Sequence, residues 1–152
     1  MYYLAYGSNL NVEQMKFRCP GAEIVGTAEI KDYQLMFKGS RTGSYLTIEP
    51  KVGSSVPVGV WRVTGPDIAS LDRYEGFPSF YYKKSMTVAC SDGRRHRSFV
   101  YIMHEDRLIG VPSKYYLRTC LAGYSAFGFD HNVLLDAVEY SIHNAGRQKG
   151  VA

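Results

Sequence analysis

The distribution of apolar and polar residues predicts a chain of many short strands and few helices. The chain opens with an apolar run over residues 2–6, typical of a strand, which stops at a Gly-Ser-Asn turn. A helical pattern follows from Val12 to about Phe17, with Asn11 and Gln14 at the spacing of a capping box. The sequence therefore begins with a strand, a tight loop and a short helix.

The rest of the pattern predicts a curled sheet with helices packed around it. Strand-like runs cover residues 22–30, 33–38, 45–49, 56–63, 82–90 and 98–103, and an amphipathic helix covers residues 132–144. Segments 39–43 and 53–55 carry Gly and Ser and predict turns, although the first can equally form a mobile loop over a pocket. Many short strands and few helices predict an α+β fold, a small closed or nearly closed mixed β-barrel surrounded by a few α-helices.

One predicted helix places a carboxylate where catalysis can use it. The helix begins near Pro66 and stops at Gly76. Ile68 and Leu71 mark its buried stripe, and Glu75 follows them by seven and four residues, so it falls on the core-facing side of the last turn. Burial and the negative end of the helix dipole both raise a carboxyl pKa, as a general acid/base near neutrality requires. The alternative is a solvent-exposed glutamate, if the helix ends early.

The loop over residues 7–10 is a second candidate site. A loop that precedes a helix presents backbone N–H groups without partners in regular structure, and these can hold an anion or the oxygen of a polarised carbonyl. The alternative is an ordinary strand-to-helix turn, since Gly-Ser-Asn alone is a common turn sequence.

Three motifs in order resemble the γ-glutamylcyclotransferase-like (AIG2-like) family. They are Tyr6-Gly7-Ser8-Asn9-Leu10, then Leu71-Asp72-Arg73-Tyr74-Glu75-Gly76, then Pro112-Ser113-x-x-Tyr116 with Gly123 seven residues later. Together they span residue 3 to about residue 130, which is most of the chain. The resemblance implies the same barrel-like architecture.

The resemblance also implies a reaction. The α-amine of a γ-glutamyl amino acid or amine attacks its own γ-carbonyl, giving 5-oxoproline and the released amine. Because the attack is intramolecular, the reaction needs no enzyme nucleophile, metal or cofactor, and Glu75 is the implied general acid/base. Of the pairs Tyr81-Tyr82 and Tyr115-Tyr116, only one member each is expected to face a pocket, and the family spacing favours Tyr82 and Tyr116. The expected substrate-binding residues are Tyr6, Gly7, Ser8, Asn9, Leu10, Tyr82 and Tyr116.

Composition and charge exclude several other classes of protein. The 152 residues, 45% of them hydrophobic and 21% charged, predict one globular domain over residues 1–144 and a flexible C-terminal tail over residues 145–152. No apolar stretch is long enough to span a membrane, and no signal peptide is recognisable, so a cytoplasmic protein is expected. The net charge of +4 resides largely in a hairpin tip and in the tail, not interleaved with aromatic residues, which argues against nucleic-acid binding.

Cysteine and histidine spacing predicts no metal site. The three cysteines show no CxxC pair and indicate reduced thiols, and the four histidines show no H-x-x-x-H spacing.

Three hypotheses for the function stay open. One is a γ-glutamylcyclotransferase that acts on γ-glutamyl amino acids. The others are a relative that acts on γ-glutamyl amines or a biosynthetic intermediate, and a non-catalytic module that binds a small ligand on the same fold. A homodimer is possible from the resemblance alone.

Overall fold

The computed structural model describes residues 1–40 and 43–148. Within these residues the strands are β1 (Tyr2–Ala5), β2 (Glu23–Ser40), β3 (Gly43–Arg62), β4 (Tyr81–Ala89), β5 (Arg95–Met103) and β6 (Leu108–Ile109). The α-helices are α1 (Val12–Arg18), α2 (Gly65–Glu75), α3 (Lys114–Phe127) and α4 (Asn132–Asn144), and a 3₁₀ turn covers Ser8–Leu10.

The strands form one mixed sheet that curls into a half-barrel. Its order is β4-β5-β1-β3-β2-β6, with β1 parallel to β5 and the other neighbouring pairs antiparallel. Both faces of the central strands are covered, and the core of the domain runs from β1 and β3 to the helices. The predicted α+β fold, a nearly closed mixed barrel with a few helices, is confirmed.

Two long strands replace four predicted short ones. The break predicted between residues 30 and 33 is a bulge at Asp32, whose φ is +62°, and pairing with β3 resumes at Tyr33. The Asp32 carboxylate accepts a hydrogen bond from the Gly53 N–H at 3.0 Å. Ser55 pairs with Lys31, and residues 51–54 have no partner in the register opposite Asp32. The Gly-Ser segment 53–55, predicted as a turn between two strands, therefore lies at this irregularity within β3.

The ribbon of β2 and β3 ends within the Gly-rich segment 39–43, where a turn was predicted. Ser40 and Gly43 are paired at the end of the two-stranded ribbon. The alternative, a mobile loop over a pocket, concerns Arg41 and Thr42, which lie outside the described residues.

Both ends of α2 are fixed by local hydrogen bonds. Thr64 and Asp67 form a reciprocal capping box at the N-terminus, with the Thr64 N–H 3.0 Å from an Asp67 carboxylate oxygen. Gly76 adopts a left-handed conformation (φ +61°), which lets the Phe77 N–H reach the Asp72 carbonyl at 2.9 Å. The helix therefore ends directly after Glu75, as predicted, and holds this residue in its last turn.

Helix α3 approaches the 3₁₀ turn closely at Gly123. A Cβ atom at this position would lie 2.6 Å from Leu10 Cβ and 2.8 Å from the Asn11 nitrogen. Only glycine permits this approach without a shift of one segment. The third sequence motif thus has a structural role, because its glycine brings α3 against the loop of the first motif.

The chain stays packed beyond α4. The Gly146 N–H donates to the Ile109 carbonyl at 2.8 Å, and the Ile109 N–H donates to the Arg147 carbonyl at 2.8 Å. The first part of the predicted flexible tail is therefore hydrogen-bonded to β6, while residues 149–152 lie outside the described residues. No helix within the described part of the chain is long and apolar enough to cross a membrane.

Candidate active site

A cavity of about 650 Å³ opens where the loop after β1 meets the end of α2, the start of β3 and the start of α3. Six of the predicted site residues line it: Tyr6, Gly7, Ser8, Asn9, Glu75 and Tyr116. Two predicted residues, Leu10 and Tyr82, do not. Its volume is in the range of small-molecule sites, about 300–1,000 Å³.

Glu75 is the acidic group of this cavity. Its side chain is partly buried, and the Asn9 amide nitrogen donates to a Glu75 carboxylate oxygen at 3.4 Å. Burial raises the pKa of Glu75 from its ordinary value of 4.5 to about 8, and the positive charge of Arg18 opposes this rise. The carboxyl therefore exchanges a proton near neutral pH, as a general acid/base must.

Asn9 connects Glu75 to Arg18. Its amide nitrogen also donates to the Tyr3 hydroxyl at 2.9 Å, and its amide oxygen accepts from an Arg18 guanidinium nitrogen. The Arg18 guanidinium stacks 3.4 Å from the centre of the Tyr74 ring. Sequence reasoning missed Arg18 and Tyr3, because neither the last residue of a short helix nor one residue of a strand carries a signal for a site.

Replacing Arg18 with Met is expected to raise the pKa of Glu75 further. The substitution removes the positive charge that opposes the effect of burial and the donor that orients Asn9. In the pH profile of kcat/KM, the inflection assigned to Glu75 should move to higher pH, and Arg18→Lys should move it less because the charge is kept. An inflection that stays in place in both variants would contradict a link between Arg18 and Glu75.

The loop offers fewer free N–H groups than was predicted. The Leu10 N–H donates to the Gly7 carbonyl at 3.0 Å, and the Leu10 side chain is fully buried against α3. The expectation that Leu10 contributes to substrate binding is therefore corrected, since 3₁₀ pairing occupies its N–H. For the N–H groups of Ser8 and Asn9, the described residues provide no hydrogen-bond acceptor, so these two donors can serve a ligand.

The tyrosine pair in β4 has the opposite orientation to the one predicted. Tyr81 is buried, lines the cavity and donates its hydroxyl to the Leu46 carbonyl at 2.7 Å. Tyr82 points to the other side of the strand, where its hydroxyl donates to the Glu105 carboxylate. Because side chains alternate along a strand, only one of the two tyrosines can face the cavity. That residue is Tyr81, whereas the family spacing favoured Tyr82. The Tyr116 hydroxyl lines the cavity and accepts from the Leu46 N–H at 3.1 Å.

Three potential metal ligands meet away from this cavity. Donor atoms of Cys90, Asp92 and His96 lie within 4.8 Å of one another at the β4–β5 hairpin, and none of the three residues lines the cavity. The spacing of histidines alone could not indicate this group. The Asp92 carboxylate already accepts from His96 at 2.7 Å and from the Arg94 N–H at 2.9 Å, so the group has a structural role in the hairpin.

Comparison with known proteins identifies the family. Residues 3–118 match the model of the family described as "Gamma-glutamyl cyclotransferase, AIG2-like". The chain is 34% identical over 149 residues to human gamma-glutamylcyclotransferase and 30% identical over 147 residues to the bovine protein, covering 90% of this chain and 78% of each relative. A solved structure of a gamma-glutamyl cyclotransferase superimposes with a TM-score of 0.78 at 26% identity, covering 100% of this chain and 91% of the other. The chain therefore belongs to the gamma-glutamyl cyclotransferase, AIG2-like family, which confirms the resemblance and the enzyme class that the three motifs indicated.

Proposed function

We propose that this protein cyclises the γ-glutamyl group of a small γ-glutamyl compound to 5-oxoproline, with Glu75 as the general acid/base. The observation that carries the proposal is a partly buried carboxyl, with its pKa raised to about 8, that receives a hydrogen bond from Asn9 of the loop. Such a group is placed to exchange protons with a substrate in the cavity.

The reaction needs two proton movements, and one carboxyl supplies both. Ionised Glu75 takes a proton from the substrate α-ammonium, and the free amine attacks the γ-carbonyl carbon to form the ring C–N bond. The Glu75 proton then passes to the γ-nitrogen as the original C–N bond breaks, and the carboxylate takes the second proton from the ring nitrogen, which leaves the lactam N–H of 5-oxoproline. This second proton passes to the released amine, which departs as an ammonium, and Glu75 is ionised again.

The loop and Tyr116 provide the complementary donors. The N–H groups of Ser8 and Asn9 are proposed to hold either the developing oxyanion or the substrate α-carboxylate. The Tyr116 hydroxyl, which accepts from the Leu46 N–H, is proposed to donate its proton to the other of these two anionic groups. These donors would fix the folded conformation in which the amine reaches the carbonyl.

Replacing Gly7 with Val is expected to lower kcat/KM by about 10²-fold, the cost of a misplacement near 1 Å in an active site. Even a single Cβ at Gly7 would lie 3.3 Å from Leu46 Cδ1 and 3.4 Å from the Tyr116 hydroxyl. The two further methyl groups of valine must displace the loop or Tyr116. A matched control is Gly65→Val, where no atom lies within 4 Å of the added Cβ. Equal activity of the two variants would rule out the role proposed for the loop.

The assay for the proposed function is release of 5-oxoproline from γ-glutamyl dipeptides and γ-glutamyl amines. The expected result is release with at least one substrate and its loss in the Glu75→Gln variant. A folded protein that binds these compounds, seen as a thermal shift, but releases no 5-oxoproline from any of them would instead support the non-catalytic binding module.

Two further properties are proposed with this function. Buried free thiols at Cys19, Cys90 and Cys120 support a reducing, cytoplasmic location, which localisation of a tagged chain tests. The family membership supports a homodimer, which sedimentation equilibrium tests by its mass.

A further inference from the structure

The cavity changes character from its floor to its mouth. The floor is made of buried tyrosines, with Tyr3 4% and Tyr101 2% exposed. The mouth is made of rings that are open to solvent, with Tyr45 37% and Tyr115 71% exposed. Exposed aromatic rings that gather around one opening are typical of a surface that a ligand covers.

The aromatic rings at the mouth form an ordered wall. Tyr45 lies edge-to-face with Tyr116, with ring centroids 5.1 Å apart, and edge-to-face with Phe80 at 6.3 Å. Tyr115 stands beside this wall on the first turn of α3. The Phe80 ring also contacts Tyr81 at 5.2 Å and the Arg107 guanidinium at 4.6 Å. The exposed rings of Tyr45 and Tyr115 are therefore the ones that a further flat group can reach, at the spacing that aromatic pairs prefer, about 4.5–7 Å.

The chemistry of cyclisation determines which part of the substrate reaches this wall. The amine, the γ-carbonyl and the departing nitrogen must all lie near Glu75, because one carboxyl moves both protons. The glutamyl group therefore occupies the region of Glu75 and the loop, and the leaving group extends toward the solvent-exposed part of the lining, which includes the rings of Tyr45 and Tyr115. A cavity of about 650 Å³ has room for a large leaving group in addition to the glutamyl group.

The charges of the lining distinguish amino acids from amines. Arg73 is the one cationic residue among the described residues that line the cavity, and Glu75 is the one carboxylate. Arg73 is exposed, and among the residues that the structure describes its guanidinium has one hydrogen-bond acceptor, the Ser70 hydroxyl at 3.3 Å. A leaving group with a second ammonium would find no anion here besides the catalytic one, whereas a carboxylate would find a guanidinium.

We propose that the preferred substrates are γ-glutamyl dipeptides whose leaving amino acid has an aromatic side chain. The side chain packs on Tyr45 and Tyr115, and the leaving carboxylate binds Arg73. This inference rests on the proposed function and specifies its substrate class.

The test compares kcat/KM for four compounds by release of 5-oxoproline: γ-glutamyl-phenylalanine, γ-glutamyl-glycine, γ-glutamyl-phenethylamine and γ-glutamyl-putrescine. The phenylalanine dipeptide should exceed the glycine dipeptide by about tenfold or more, the scale of one ring buried against aromatic residues. Its kcat/KM should also exceed that of γ-glutamyl-phenethylamine, whose leaving group keeps the ring and lacks the carboxylate. The value for γ-glutamyl-putrescine should be the lowest of the four.

Variants connect these preferences to residues. Tyr115→Ala should lower the phenylalanine-to-glycine ratio several-fold, and Arg73→Gln should lower the phenylalanine-to-phenethylamine ratio. Phe17→Ala, at a 92% exposed ring outside the cavity, is the control that should change neither ratio. Release of 5-oxoproline with equal rates for phenylalanine and glycine, or with either amine preferred, overturns this inference alone. Silence with all four compounds overturns the proposed function and this inference with it.

Discussion

Replacing Glu75 with Gln is expected to lower turnover of γ-glutamyl substrates by about 10²-fold or more, the usual contribution of general acid/base catalysis. Glutamine keeps the shape of the side chain but can neither take the ammonium proton nor return it to the leaving nitrogen. KM should change little, because the loop and Tyr116 stay in place. The measurement is steady-state release of 5-oxoproline at pH 8.

The matched control is Glu139→Gln, which removes a carboxylate from the exposed face of α4. This variant should retain the activity of the unmodified protein. Unchanged turnover in Glu75→Gln would exclude Glu75 from the mechanism, and equal losses in both variants would point to a general effect of charge.

The same substitution is expected to stabilise the fold at alkaline pH. Burial raises the pKa of Glu75 in the folded chain to about 8, against 4.5 as its ordinary value. Between these two values the folded state holds a proton that the unfolded state has lost, so the free energy of unfolding falls as the pH rises through this window. At 1.36 kcal/mol per pKa unit the full effect is at most about 5 kcal/mol. Because glutamine does not titrate, the Glu75→Gln variant does not lose this stability as the pH rises.

Urea unfolding of both proteins at pH 5 and pH 9 measures this effect. The free energy of unfolding of Glu75→Gln should exceed that of the unmodified protein at pH 9, by several kcal/mol more than at pH 5. A difference that is independent of pH would mean that Glu75 ionises in the fold as it does in water. A variant that is both less active and more stable is what a catalytic carboxyl in an apolar site predicts.

The sequence predicted the parts of the site that local rules control. Helix periodicity placed Glu75 on the inner side of α2, and Gly76 marked the end of that helix. The loop after β1 was recognisable because a strand, a Gly-Ser-Asn turn and a helix follow one another within a few residues. In each case, neighbours along the chain contained the information.

The parts that were missed depend on distant contacts. Whether Tyr81 or Tyr82 faces inward depends on where β4 begins against β5, and one residue of shift exchanges the two. The role of Arg18 depends on its meeting Asn9 and Tyr74 in space. The continuity of β2 depends on a contact between Asp32 and Gly53, two residues on different strands. No spacing in the sequence specifies these encounters.

The central position of β1 in the sheet determines when this strand can pair during synthesis of the chain. Tyr2 is translated before both of its partners, since it pairs with Arg62 of β3 and Ser98 of β5. While the chain emerges from the ribosome, the strand that leads into the loop of residues 7–10 has no complete set of partners until β5 has been translated. Sequence-distant pairing of this kind slows folding. Nascent chains that stop before residue 103 are therefore expected to leave β1 accessible to chaperones and proteases, although in the finished molecule it lies buried between β5 and β3.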